Sequence, residues 1–244
     1  VGAYYAKKYK KPYVISPRGN LMEPLELKGA LEKKFYIRLV EKWALKNASA
    51  VHFTVEEEKK QYLSHGLPLK NFIIIPNGIE TSEFTGSVEA GLFRKKYSIP
   101  AHKKIILFLG RISWKKGLDT LIPAFAEVAR QEPEALLVIA GSDDEGYGKN
   151  VKFLISNFKL QDKVLFTGMI SGNDKIAALK ESDVFVLPSY SENFSMAAVE
   201  AMYMKLPVVI TERVGVASFV REYVAGIVTK KDEKEIAEAI LQIL

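Results

Sequence analysis

Cysteine is absent from the 244 residues, which excludes a disulfide framework, thiolate chemistry and any cysteine-held metal. Histidine is scarce: His52, His65 and His102 are the only three. None is spaced as a metal pair, so no metal held by several histidines is expected. The lack of cysteine makes a reducing cytoplasm the simplest compartment; no apolar run approaches the ~18 residues of a membrane span, and no signal-peptide pattern is visible. Two glycine fingerprints are also missing, Gly-x-Gly-x-x-Gly and Gly-x-x-x-x-Gly-Lys-Ser/Thr. Their absence disfavours a nicotinamide enzyme and an NTPase.

What is present suits a globular protein. Hydrophobic residues make up 48% and charged residues 26%, ample for a packed core. The length allows one large domain or two small ones. The charge is uneven: residues 1–50 hold 11 Lys/Arg against 4 Asp/Glu, a net of +7, while the whole chain is +6, so residues 51–244 sum to −1. A basic front end suits an anionic surface such as the cytoplasmic leaflet, or an acidic acceptor; it equally suits a solvated lysine-rich face. Nucleic acid is a poor partner, because the basic excess is confined to the front and no reader motif appears. The chain opens Val1-Gly2-Ala3 without an initiator Met, and the sequence reads as part of a longer protein.

Along the chain, Tyr13–Ile15 is the first strand candidate. Residues 26–46 place Leu31, Phe35, Leu39 or Val40, and Trp43 at helical steps. Ala50–Thr54 reads as a strand, and Thr54 with Glu57 reads as a capping box for a helix ending near His65-Gly66. Phe72–Ile75 is an apolar strand stopped by Pro76-Asn77-Gly78. Residues 80–103 carry little strand pattern. From Lys104 the rhythm changes to continuous apolar runs at Ile105–Leu109, Leu136–Ala140, Val164–Thr167, Val184–Leu187 and Val208–Ile210, with Gly226–Thr229 as a sixth candidate. Buried runs alternating with helical stretches predict an α/β domain, a parallel sheet covered on both faces. Such sheets bind ligands beyond the carboxyl ends of their strands.

Two of those ends carry chemistry. After the first run come Gly110-Arg111 and Ser113-Trp114-Lys115-Lys116-Gly117, then a helix capped by Asp119 or Thr120 with Pro123 in or near its first turn. Arg offers a bidentate fork and Lys a point charge for phosphate oxygens, although a solvated basic loop has the same composition. After the fourth run comes Pro188-Ser189-Tyr190-Ser191-Glu192-Asn193-Phe194-Ser195-Met196. Ser195 opens a predicted helix that ends before Pro207. Glu200 lies among Ala197, Ala198, Val199, Ala201 and Met202, where a carboxylate is costly to bury without partners; ligand hydroxyls would satisfy it, and a surface Glu on an amphipathic helix is the plainer alternative. Exposed amides of residues 193–196 would suit a phosphate, with Glu192 in the loop beside them.

Glu-x7-Glu across Glu192 and Glu200, inside Pro-Ser-x-x-Glu-Asn-Phe-Ser-x-x-x-x-Glu-Ala-Met, resembles the donor-site motif of retaining GT-B glycosyltransferases of the large GT4 family, also called group 1. The Gly-Arg-x5-Gly segment with Lys116, the Pro76-Asn77-Gly78-Ile79 turn and Gly141-Ser142-Asp143 follow that family's order, over nearly the whole chain. The resemblance implies a Rossmann-like, doubly wound GT-B sheet over 104–244 as the nucleotide-sugar domain, a connector at 85–103, and a partial Rossmann-like acceptor-side domain at 1–84. It implies that Arg111 and Lys116 bind the donor diphosphate and stabilise the leaving nucleotide, and that Glu192 contacts the donor sugar as a third catalytic group. Glu200 would hold the ribose hydroxyls. Gly110 and the backbone of Asn193, Phe194, Ser195 and Met196 would contact the donor, and the Gly168-Met169-Ile170 loop would border the base, where Met169 also fits simple packing. A UDP-sugar or GDP-sugar is the expected co-substrate, with a glycan or lipid-linked glycan as acceptor. No cofactor and no metal is expected, Asp143-Asp144-Glu145 being the one acidic loop that suits a cation.

The sequence also departs from the family. Most of the N-terminal half is missing, Arg18 stands where many relatives carry histidine before the glycine, and Leu244 precedes the helix that crosses back. A catalytically silent nucleotide-sugar-binding fragment or subunit is therefore the alternative reading, and the chain alone is expected to bind donor without transferring sugar. A sugar phosphorylase or nucleotide-sugar epimerase is a third reading; no convincing Schiff-base lysine supports the pyridoxal-dependent version.

Overall fold

The computed structural model describes residues 1–19, 40–86 and 88–244. These fall into two compact units, Val1–Gly78 and Ile79–Leu244.

The first unit holds a parallel three-stranded sheet, β1 (Val14–Ile15), β2 (Ala50–Phe53) and β3 (Phe72–Ile74), in that order. Helices α1 (Gly2–Lys8), α2 (Lys42–Asn47) and α3 (Glu56–Ser64) accompany it. Its core gathers Leu45, Val51, Phe53, Tyr62 and Leu67. The helix expected over 26–46 is described only at its end; Leu31, Phe35 and Leu39 lie outside the described residues. In the described part Trp43 is 38% exposed with Lys7 over its ring, and Leu45 is the buried residue.

The cap of α3 differs from the sequence expectation. Val55 is the cap residue, and the glutamate that reaches back is Glu58, not Glu57. One Glu58 oxygen accepts from the Thr54 amide at 2.8 Å and the Thr54 hydroxyl at 2.9 Å, and the other accepts from the Gly19 amide at 2.8 Å. The helix begins one residue later than a Thr54 cap requires, so the partner moves one residue along. Glu58 is buried, and three donors satisfy a carboxylate that water does not reach.

The second unit is a six-stranded parallel sheet. Its strands are β4 (Lys104–Leu109), β5 (Ala135–Ala140), β6 (Val164–Gly168), β7 (Val184–Leu187), β8 (Val208–Thr211) and β9 (Gly226–Thr229). All six runs read from the sequence are strands, and the pattern has a plain cause: a strand covered on both faces has no polar side to alternate with. In the central strand β4, Ile105 to Phe108 are fully buried.

The helices of this unit are α4 (Leu92–Lys96), α5 (Leu118–Gln131), α6 (Gly148–Asn157), α7 (Gly172–Glu181), α8 (Met196–Tyr203), α9 (Ala217–Glu222) and α10 (Glu233–Ile243). α5 packs against α10 and α6, and α4 against α7. Residues 79–103 are stitched to this unit: the Glu181 carboxylate accepts from the Phe93 amide at 3.0 Å and the Arg94 amide at 2.9 Å, and Phe93 is buried.

Strand order is β6-β5-β4-β7-β8-β9. The chain steps outward from β4 in one direction, then returns to the other side of β4 and steps outward again. This is the doubly wound Rossmann order, and its reversal falls between β4 and β7, where the adjoining crossovers leave in opposite directions and open a crevice at the carboxyl ends.

Replacing Glu58 by alanine removes the acceptor of three hydrogen bonds, two from Thr54 and one from Gly19, a loss of about 2 kcal/mol. Hydrogen exchange of the Val51–Phe53 amides is expected to accelerate more than tenfold (about 1.4 kcal/mol per decade), while amides of β4 keep their rates. Unchanged exchange in β2 would show that Glu58 does not hold the first unit together.

Candidate functional site

The loop after β4 starts under tight backbone constraint. Gly110 donates to the Ala140 carbonyl at 2.9 Å and Ile112 to the Ser142 carbonyl at 2.7 Å, so the chain continues beside the segment after β5. Gly141 makes this approach feasible: a Cβ there would lie 1.8 Å from the Gly110 carbonyl oxygen. Arg111 is exposed at this point. A 3₁₀ turn, Trp114–Lys116, ends at Gly117, whose φ of 74° turns the chain into α5. α5 therefore begins two residues before the position implied by an Asp119 cap. Gly117 is its cap residue, its carbonyl receiving the Thr120 and Leu121 amides at 3.0 Å each. Asp119 sits in the first turn and Pro123 inside the helix.

The loop after β7 lies directly on this turn. A Cβ on Gly117 would stand 2.0 Å from the Pro188 carbonyl oxygen, and the Tyr190 amide donates to the Lys115 carbonyl at 2.9 Å. Two residues on, the Glu192 amide donates to the Arg213 carbonyl at 3.1 Å and the Glu192 carbonyl accepts from Gly215 at 2.8 Å, which ties the same loop to the segment after β8. The Glu192 carboxylate forms an ion pair with Lys116, both side chains about one-fifth exposed, at 23% and 18%. The pair spans the reversal, one partner after β4 and the other after β7.

Ser195 opens α8 as read from the sequence: its hydroxyl accepts from the Ala198 amide at 3.3 Å. It does so at φ +69°, a left-handed conformation that costs a non-glycine residue about 1–3 kcal/mol and recurs at ligand clamps. Phe194 is buried and anchors the loop. Glu200 has an ion-pair partner. Its carboxylate receives the Lys175 ammonium at 3.0 Å, with the side chains 16% and 20% exposed, and the same ammonium lies 5.3 Å from the centre of the Phe84 ring. Phe84 in turn packs edge-on against Tyr203 of α8. Glu200 is thus mostly withdrawn from water among its apolar neighbours, and a lysine from α7 supplies the compensation that the sequence alone assigned to ligand hydroxyls.

Met169 follows β6 and is 76% exposed, whereas Ile170 beside it is buried. In the acidic loop after β5, Asp143 accepts from the Gly148 amide at 3.0 Å and Asp144 from the Ser142 hydroxyl at 2.8 Å. Among the described residues no group of three or more His, Asp or Glu could hold a metal ion.

The tertiary fold thus assembles Lys116 and Glu192 in direct contact, places Arg111 at the head of the same β4 loop, and sets Glu200 in α8, which that β7 loop leads into. Lys175 escaped the sequence reading. Its signal was its register: it falls three and four residues before the buried Ala178 and Leu179, on the inward stripe of α7, where a lysine needs a reason.

Several known proteins resemble this chain. An uncharacterised glycosyltransferase of Methanocaldococcus jannaschii is 33% identical over 176 residues, covering 70% of this chain and 44% of its own length. The alpha-monoglucosyldiacylglycerol synthase of Streptococcus pneumoniae is 30% identical, covering 70% of this chain and 39% of its own length. The putative teichuronic acid biosynthesis glycosyltransferase TuaC of Bacillus subtilis is 29% identical, over 94% of this chain and 54% of its own. The chain therefore spans about half or less of these relatives. Among solved structures, Anabaena HepE in complex with UDP and glucose matches 99% of this chain and 64% of its own with a TM-score of 0.84 at 21% identity. WaaG, a glycosyltransferase involved in lipopolysaccharide biosynthesis, matches 98% of this chain and 70% of its own with a TM-score of 0.74 at 19% identity. They share the Rossmann-like fold of the GT-B glycosyltransferases. The model of the family described as glycosyl transferases group 1 matches residues 90–244, more than half of the chain and all of the sheet that carries the site, and the chain belongs to that family.

Proposed function

We propose that the second unit binds a nucleoside-diphosphate sugar and that the whole protein transfers the sugar, with retention, to a glycan or lipid-linked acceptor. The observation that carries this reading is the Lys116–Glu192 pair astride the reversal of the sheet, at the head of the α8 turn. Arg111 and Lys116 bind the diphosphate, the backbone of residues 193–196 at the start of α8 adds its amides, and Glu200 receives the ribose hydroxyls while Lys175 fixes its orientation. Gly110 lets the donor approach the β4 loop, and Met169 borders the base. As the nucleoside diphosphate departs, negative charge builds on its phosphate, and pre-placed cations and a helix N-terminus lower the barrier there. An entering phosphate competes with Glu192 for Lys116 and frees that carboxylate to face the sugar. No cofactor is invoked.

The relatives support the substrate class. HepE has been seen with UDP, with UDP-glucose, and with UDP and glucose. The relatives' names include an alpha-monoglucosyldiacylglycerol synthase and a putative teichuronic acid biosynthesis glycosyltransferase. We therefore favour a UDP-sugar, with a GDP-sugar as the second choice, and a hexose as the transferred group. Among the described residues no helix is long and apolar enough to cross a membrane. We place the reaction in the cytoplasm, with the basic residues 1–50 facing the anionic inner leaflet. Because the chain is shorter than its relatives, donor binding is proposed for this chain and transfer for the whole protein; a binding fragment without catalysis is the alternative.

Arg111→Ala and Lys116→Ala are each expected to weaken UDP or GDP binding tenfold or more, since charged hydrogen bonds carry about 1.5–3 kcal/mol, and to leave uridine or guanosine binding unchanged. Calorimetry on the four ligands decides it; equal losses for diphosphate and nucleoside would remove the phosphate assignment.

Glu200→Gln is expected to weaken the nucleoside and the diphosphate alike, because the ribose is common to both. Glu192→Gln should instead lower turnover of the full-length enzyme by about two to three orders of magnitude. Wild-type donor affinity in the first variant and wild-type rate in the second would refute the paired-carboxylate reading.

Chelation by EDTA should leave diphosphate affinity within about twofold, well under the tenfold that 1.4 kcal/mol represents, because Arg111, Lys116 and the α8 amides supply the positive charge. A strict Mg²⁺ or Mn²⁺ requirement in the same titration would count against them.

A further inference from the structure

We propose that Tyr190, through its hydrogen bond to Asp119, is a positioning residue that holds Glu192 and Lys116 in register for a nucleoside diphosphate; the inference rests on the proposed donor site. Tyr190 lies two residues before Glu192, yet its side chain reaches Asp119, Lys231 and Trp114 on other segments at the carboxyl edge of the sheet. Its hydroxyl donates to Asp119 Oδ2 at 2.6 Å, in the first turn of α5 and three residues beyond Lys116. The ammonium of Lys231, from the segment after β9, lies 3.7 Å from the centre of its ring and donates to the Thr120 hydroxyl at 2.7 Å. Trp114, from the turn that carries Lys116, packs against it at 5.6 Å between ring centres.

The contact is charged and shielded. The other Asp119 oxygen, Oδ1, is buried with no hydrogen bond among the described residues, so the phenol is the donor on which this carboxylate depends. Burial, and then the hydrogen bond to Asp119, push the Tyr190 hydroxyl up to about 12. The phenol therefore remains a donor throughout the physiological range.

The geometry explains why such a tie is needed. The Lys116–Glu192 pair joins two loops, and a pair of flexible side chains can keep its own distance while the loops shift together or twist. A ligand that must meet Arg111, Lys116 and the α8 amides at once requires the loops themselves to be fixed. The Tyr190 amide on the Lys115 carbonyl and the close approach of Gly117 to Pro188 set one edge of the contact; the Tyr190 hydroxyl on Asp119 sets the other, beyond Lys116. A rigid aromatic ring carries this link with little side-chain entropy to lose.

The test compares diphosphate with nucleoside on the whole chain. Titrations of UDP against uridine, with GDP against guanosine in parallel, are run on the wild type, Tyr190→Phe, Asp119→Ala and the double variant. The phenylalanine keeps the ring and its packing and loses only the hydroxyl. Each single variant is expected to lose about tenfold in diphosphate affinity, the scale of one charged hydrogen bond, with nucleoside affinity unchanged. The double variant should lose no more than the worse single one, since both remove the same contact. Wild-type diphosphate affinity in Tyr190→Phe, or parallel losses of diphosphate and nucleoside, would overturn the proposal while leaving the donor site standing. Should Tyr190→Phe melt at lower temperature, Asp119→Ala, which leaves no unpaired carboxylate, reads the same contact, and selective diphosphate loss is again the required result. A wild type that does not prefer diphosphate to nucleoside overturns the donor-site reading itself, and this proposal with it.

Discussion

Parallel strands present all their carboxyl ends at one edge of a sheet, and each crossover helix covers the edge only on the side to which it leads. Between β4 and β7 the crossovers lead away from each other, so a crevice opens at the edge there. The arrangement follows from right-handed crossovers wound outward from a central strand. Lys116 after β4 and Glu192 after β7 are the flanks of that opening, and the remaining site features are arranged around them.

Two close approaches turn the opening into a defined site. Gly141 lets the backbone after β5 lie against Gly110, and Gly117 lets the Pro188 carbonyl rest on the turn that carries Lys116. A side chain at either glycine would overlap a carbonyl oxygen, so the loops would have to separate by more than an ångström. Electrostatics follow the same economy. Lys116 with Glu192, and Lys175 with Glu200, are paired and mostly withdrawn from water. Removing one partner would strand the other, which is more destabilising than the pair is stabilising.

Much of the second unit was legible in the chain. Six apolar runs at regular spacing became six strands, because strands shielded on both faces must be apolar throughout. Ser195 was legible as a helix start because a hydroxyl cap is a local device. Boundaries that depend on long-range contacts were not. α5 starts two residues early because Gly117 turns the chain at a positive φ under the Pro188 carbonyl, and the carboxylate that reaches back at the start of α3 is Glu58, which also accepts from the amide of Gly19, 39 residues away.

The sequence by itself determined the α/β class, the strand positions and the types of residue available at the carboxyl ends: cations after β4, two carboxylates eight residues apart after β7. These are local properties, set by periodicity and by the side chains that each loop carries. Only the tertiary structure decided which of them meet. Strand order is a choice among topologies that the same local pattern permits, and it alone brings Lys116 to Glu192 across 76 residues, Lys175 to Glu200 across 25, and Tyr190 to Asp119 across 71. Pairings between side chains so far apart in sequence leave no mark on either segment's periodicity, which is why the donors and acceptors could be named in advance and their partners could not.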